Sequence, residues 1–174
     1  MVESPGGALM KVLVATGSKY GATREVGRAI AEELVALGFD VDCEDACDVK
    51  TVRYYDAIVL GSAVYGGLWR RDASGLLRDN LELLKDRALW MFSVGMTSVT
   101  EPGQPLDEAE QLAIDAGAHE HYRFDGRLDL ELLNFGEKAL IRAIKPPVGD
   151  FRDFNAVKAW AQRVGADLMA LATD

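Results

Sequence analysis

Residues Thr16 to Thr23, Thr-Gly-Ser-Lys-Tyr-Gly-Ala-Thr, gather the groups that bind an anion. Thr16, Ser18 and Thr23 carry hydroxyls, Lys19 carries a positive charge, and Gly17 and Gly21 let the backbone come close to a ligand. Tyr20 and Ala22 complete the loop, which opens directly onto a helical pattern. The first turn of a helix presents unpaired N–H groups and a partial positive charge, which suits a phosphate. The Gly-x-x-x-x-Gly-Lys-Ser/Thr pattern of a Walker loop and the Gly-x-Gly-x-x-Gly of a dinucleotide site are both absent, and a hydroxyl-rich loop fits a monophosphate more naturally. The competing reading is a polar turn that does no more than cap the helix.

Two further loops have suitable chemistry. Gly61 to Trp69 reads Gly-Ser-Ala-Val-Tyr-Gly-Gly-Leu-Trp. Its small residues, Ser62, Ala63, Gly66 and Gly67 around Val64, permit a planar ring to approach the backbone. Tyr65 and Trp69 offer faces to stack on or flank that ring, although both residue types also serve as core packing. Ser93-Val94-Gly95-Met96-Thr97 is again small and polar, with backbone groups available to the polar rim of a ring. Taken together, the three loops convert an anion site into a site for the phosphate of a ring-bearing cofactor. No catalytic side chain is assigned. His119 and His121 read as solvated or edge residues rather than general bases. Cys43 and Cys47, spaced C-x3-C without a second pair, read as ordinary thiols rather than metal ligands.

The elements that must position these loops alternate along the chain. Lys11–Thr16, Asp56–Gly61 and Ala88–Val94 are short apolar runs, as in strands buried on both faces of a parallel sheet. Phe39–Glu44 is a less apolar strand suited to an edge, and Glu120–Phe124 is a short fifth strand. Helical spacing predicts helices over about 23–37, 72–84, 105–116 and 155–171, with Gly38 closing the first and Asp153 capping the last. Residues 128–145 are also helical by pattern and end at Pro146, Pro147 and Gly149. Strand–helix alternation implies a doubly wound sheet, whose ligands sit at the carboxyl ends of the strands where strand order reverses. All three loops lie at such ends.

Bulk properties narrow the function. A chain of 174 residues fits one domain, here 10–174 behind a flexible lead-in at 1–9 that lacks the features of a signal peptide. A net charge of −9 argues against nucleic acid and suits docking against basic partner proteins. Within 128–145, Leu130, Leu133, Leu140, Ile141 and Ile144 are apolar, while Lys138, Arg142 and Lys145 recur at helical spacing. Two readings stay open there: an amphipathic helix covering the core, or contact with an anionic membrane surface or with the rim of a quinone or porphyrin site.

The loop at 16–23 resembles the FMN phosphate cradle of the flavodoxin-like family. The resemblance is sharper to one branch, the menaquinone-dependent protoporphyrinogen oxidases and their flavodoxin-domain relatives. It is carried by Val59–Gly67, by Phe92–Thr97, and by the segment from Gly126-Arg127-Leu128 through Ala143-Ile144 to Gly149–Phe154. It implies a flavodoxin-like doubly wound five-stranded parallel sheet, order 2-1-3-4-5, with helices on both faces and an extra helical segment after strand 5. It also implies FMN as cofactor, held by Thr16–Thr23, Ser62–Gly67, Trp69 and Ser93–Thr97. The implied partners are a redox protein or a quinone, with a porphyrinogen as candidate substrate, in a cytoplasmic protein that touches the inner face of the membrane through 130–145. A flavodoxin-type carrier acting only on partner proteins, or a domain with a non-catalytic site, are the alternatives. Gly95 and the order Tyr65-Gly66 depart from the oxidase pattern, and these departures bear on the tetrapyrrole rather than the flavin.

Overall fold

The computed structural model describes residues 1–3, 7–95 and 108–173. Met96 and Thr97, and the expected start of a helix at Pro105, lie outside the described residues. Strands β1 (Lys11–Gly17), β2 (Asp40–Asp45), β3 (Ala57–Tyr65), β5 (Ala88–Gly95) and β6 (Glu120–Asp125) form a parallel sheet in the order β2-β1-β3-β5-β6. This is the expected order, with one short strand, β4 (Leu68–Trp69), intervening in sequence and pairing antiparallel to β3.

Alternation along the strands divides the core into two layers. Val12, Val14, Val59, Trp90 and Phe92 face α1 (Ala22–Ala36) and α6 (Phe154–Thr173). Leu13, Ala15, Ile58, Leu60 and Met91 face α2 (Arg71–Asp79) and α4 (Glu108–Ala116). Trp160 of α6 is fully buried among Tyr122, Phe92 and Phe124, with ring centroids 5.7–5.9 Å away. Its indole N–H donates to Glu120 Oε2 at 2.9 Å, which satisfies the one polar atom this ring carries into the core. Asp153 caps α6 as expected, its Oδ1 accepting from the backbone of Asn155 and Ala156.

Three local expectations change. The helix expected over 72–84 is two, α2 and α3 (Leu81–Leu84), broken at Asn80, whose side-chain amide donates to Leu76 O at 2.7 Å and competes with the helical ladder. β3 does not stop at Gly61: Val64 and Tyr65 pair with Trp69 and Leu68, so residues read as loop are a hairpin turning at Gly66-Gly67, where φ is +57° and +78°. Residues 128–145 hold a short strand β7 (Arg127–Leu128), a 3-10 turn at Leu130–Leu132 and α5 (Phe135–Ile144), and β8 (Gly149–Asp150) then pairs back to β7. At the start of the chain, Val2 N donates to Gly38 O at 2.9 Å, and Met10 N donates to Val2 O at 2.7 Å.

Gly61 sits beneath the ring of Phe92, and a Cβ there would stand 2.1 Å from ring carbon Cζ. Replacing Gly61 by Ala forces the ring or the strand to move and should cost about 1–3 kcal/mol of stability. A lower urea midpoint at unchanged m-value is expected; an unchanged midpoint contradicts the close packing.

Candidate functional site

The parallel register brings the three loops together. Thr16 stands opposite Gly61 and Gly17 opposite Ser62 across β1–β3, while Ser62 faces Ser93 across β3–β5. Thr16 is buried, and its Cγ2 fills the space that Gly27 of α1 leaves open; a Cβ on Gly27 would lie 2.5 Å from it. Gly17 gives similar clearance to Ala73 and Asp72 of α2, 2.9 Å from where its Cβ would be. Helices on both faces therefore clamp the end of β1.

The loop turns back at Ser18, whose Oγ accepts from Gly21 N at 3.0 Å. Gly21 has φ +90°, a left-handed conformation that disfavours any side chain, and a Cβ there would meet open space. α1 begins at Ala22 with no side-chain cap. The N–H groups of a helix start without a side-chain cap are what an anionic group can complete. Thr23 is buried in the first turn. Lys19 and Tyr20 both engage Glu137 of α5: the ammonium pairs with Oε1 and the phenol donates to Oε2. That contact raises the Lys19 pKa, first through the hydrogen bond to Glu137 and then through Tyr20. Burial opposes ionisation of Glu137, but the bonds from Lys19, Tyr20 and the Asn134 backbone outweigh it and hold the carboxyl at about 2.

At the second loop, Tyr65 is 45% exposed, and its phenol is pushed up by burial first and then by Tyr20 and Glu137 nearby. Ser62 is fully buried and pins the chain, its Oγ donating to Ala63 O at 2.8 Å and accepting from Arg70 N at 2.9 Å. Ala63 is buried and Val64 half-buried. Trp69 differs from expectation. It is buried among the residues of the α2 and α4 layer, because β4 folds it under the hairpin, and its indole N–H donates to Ser93 Oγ at 2.8 Å. Ser93 Oγ in turn lies 2.7 Å from His121 Nε2, so Trp69 and Ser93 belong to an internal chain of contacts rather than to a ring-facing surface. His119 stacks on Trp90 at 4.7 Å. In the third loop Val94 is buried, and Gly95 is half-buried close to Val64 and accepts from Gly126 N at 3.1 Å.

Sequence reasoning missed Glu137 and three arginines. Arg70 lies against Gly17, and its buried Nε has no hydrogen-bond partner among the described residues. An unpaired buried guanidinium nitrogen is costly, and an anion at this edge would relieve it. The available signal was Arg70-Arg71 at the head of α2, where positive charge opposes the helix dipole. Arg152, its side chain 6% exposed, binds Ala22 O at 3.2 Å, Glu25 at 2.5 Å and Asp150 at 2.8 Å. Arg127 reaches Tyr20 O at 3.1 Å. These arginines bolt residues 127–152 to the phosphate-type loop, and Arg152 holds the Asp150 carboxyl at about 2. No group of His, Cys, Asp and Glu among the described residues is arranged to hold a metal, and Cys43 and Cys47 are free thiols.

The parallel order β2-β1-β3-β5-β6, with helices on both faces and a helix start without a side-chain cap at the reversal of strand order, defines a doubly wound α/β protein. Residues 13–155 match the flavodoxin domain family, and the chain belongs to it. Flavodoxin-family proteins bind flavin, as FMN. No curated protein matches the chain. Among solved structures, a flavodoxin from Streptococcus pneumoniae TIGR4 is 18% identical with a TM-score of 0.64, covering 90% of this chain and 99% of its own. The rubredoxin oxygen:oxidoreductase of Desulfovibrio gigas is 14% identical with a TM-score of 0.64, the match covering 92% of this chain and 36% of that one. Oxidised flavodoxin 2 of Bacillus cereus is 24% identical with a TM-score of 0.55, covering 78% and 97%. These likenesses show the fold.

Glu137 and Asp150 both titrate lower in the folded chain than their ordinary values of 4.5 and 3.8. Their hold on residues 127–152 is therefore full above those values and is lost as pH falls towards about 2. Amide exchange of α5, corrected for intrinsic rates, should lose protection between about pH 5 and about pH 2.5 before β1 does. Loss of both together contradicts a carboxylate-held segment.

Proposed function

We propose that this chain is an FMN-binding electron-transfer protein that exchanges electrons with partner redox proteins. The observation that carries the reading is the start of α1 at Gly21–Ala22 without a side-chain cap, with Arg70, whose buried Nε has no hydrogen-bond partner among the described residues, packed by its Cβ against Gly17 of the same loop. The phosphate would be held by Thr16, Ser18 and the backbone of Gly17 to Thr23, with Lys19 and Tyr20 at its rim. The ring would lie against Ser62 to Gly67 and Gly95, with Met96 and Thr97 in the same set though outside the described residues. Bound there, FMN supplies an isoalloxazine ring that accepts and returns electrons. The protein's part is to orient it, supply hydrogen bonds and set the local charge. Tyr65, half exposed at the rim, is the aromatic side chain placed to flank the ring, the part earlier shared with Trp69. A net charge of −9 favours partners with a basic docking face.

The protein as purified is expected to be yellow, with flavin absorbance bands and about one FMN per chain released on denaturation. Tyr65→Ala should weaken FMN binding by roughly fivefold, taking about 1 kcal/mol for a lost aromatic contact. A colourless protein that takes up no added FMN would overturn the reading.

The excursion at 126–154 favours a second reading, in which a quinone accepts electrons drawn from a porphyrinogen and the protein rests on a membrane surface. No residue of α5 is buried, so the helix does not serve as a lid on the core. Phe135 is 88% exposed, with Leu140 and Ile144 more than half exposed, beside Lys138, Arg142 and Lys145. An exposed apolar face beside a basic one fits an anionic lipid interface. No helix among the described residues is long and apolar enough to cross a membrane. Flotation with anionic liposomes is expected for the wild type and should be lost in Leu140→Asp; wild type that stays at the bottom ends the membrane reading. Turnover of protoporphyrinogen with menaquinone separates this oxidase from a pure carrier.

A further inference from the structure

Lys19 is the cation of the anion-binding loop, yet its charge is already spent on Glu137, a residue 118 positions away. Tyr20 donates to the same carboxylate, so both side chains at the loop's rim point their donors at one internal anion. The carboxylate is delivered there by construction. Glu137 is the third residue of α5, and a capping box fixes it: Asn134 Oδ1 accepts from Glu137 N, and Glu137 Oε2 accepts from Asn134 N, each at 2.9 Å. Arg127 and Arg152, bound to Tyr20 O, Ala22 O and Glu25, clamp both ends of the segment that carries α5 to the start of α1.

We propose that Glu137 is a specificity-determining residue: an internal anion that competes with the cofactor phosphate for Lys19 and Tyr20, and so limits how strongly the loop prefers a phosphate-bearing flavin to one without phosphate. A phosphate entering the loop brings up to two negative charges to donors that already face a carboxylate, and must either displace it or bind beside it. Repulsion between such charges at a partly solvated surface is of the order that changes an affinity by roughly tenfold. A flavin without phosphate does not meet this repulsion. The inference rests on the FMN reading above.

The test uses the full chain stripped of flavin, titrated with FMN and separately with riboflavin and followed by quenching of flavin fluorescence. Glu137→Gln removes the charge and keeps the capping box, since glutamine serves that position equally. Asn134→Ala weakens the cap and keeps the charge. Glu137→Gln is expected to tighten FMN by roughly tenfold and to leave riboflavin within about twofold, whereas Asn134→Ala, in which Lys19 and Tyr20 still hold the Glu137 carboxylate, leaves FMN within about twofold. Glu137→Gln with unchanged FMN affinity, or with equal gains for both flavins, overturns the inference while leaving the FMN reading intact. So does Asn134→Ala reproducing the gain, since the effect would then come from loosening α5. A wild type that binds neither flavin overturns both.

Discussion

A parallel sheet sends every strand out of the same edge, and each crossover must begin there. In this chain β1, β3 and β5 are held in a register that sets Thr16 against Gly61 and Ser62 against Ser93, so three loop starts share one edge. β1 and β3 are neighbours, but their crossovers leave for opposite faces, α1 on one and α2 on the other. In doubly wound sheets such a reversal is where a ligand crevice forms, and here it lies between the end of β1 and the start of α1. The close contacts of Gly27 with Thr16 and of Gly17 with Ala73 keep that strand end from drifting, because neither position can accept even a methyl group without displacement.

Polar demand within this edge is unevenly met. Ser62, Ser93 and Trp69 are satisfied by one another or by backbone, so they support the strand ends rather than wait for a ligand. The start of α1 and the Nε of Arg70 are left open. Lys19 and Tyr20 are occupied by Glu137, which joins α5, a helix with no buried residue, to the anion-binding loop. Electrostatics in the site is thus set by three elements distant in sequence: the loop after β1, the head of α2 and the first turn of α5.

Much of this was legible in the sequence, for physical reasons that also mark where legibility ends. Strands such as Lys11–Thr16 and Ala88–Val94 are buried on both faces and read as unbroken apolar runs. The phosphate-type loop announces itself through local composition. Trp69 was ambiguous because a tryptophan after a glycine pair fits a ring-flanking loop as well as a hairpin strand; pairing of Leu68 with Tyr65 decided for the core. Arg152, Arg127 and Glu137 act across 107 to 130 positions and leave no local pattern. The helical spacing at 135–144 was visible, yet its exposure was not, since an amphipathic pattern does not say whether its apolar face finds a partner.

FMN at the strand-end edge, and at no other surface, is what the proposed function requires. A second concavity, lined by Met10, Tyr54, Tyr55, Asp56 and Arg87, lies at the opposite edge of the sheet. Titrating the isotopically labelled, flavin-free chain with FMN and following backbone amide shifts tests this directly. The account predicts saturable shifts concentrated at Ser18 to Arg24, Ser62 to Gly67 and Gly95. Shifts centred on Met10, Tyr54 and Asp56, or no shifts at saturating FMN, would contradict it.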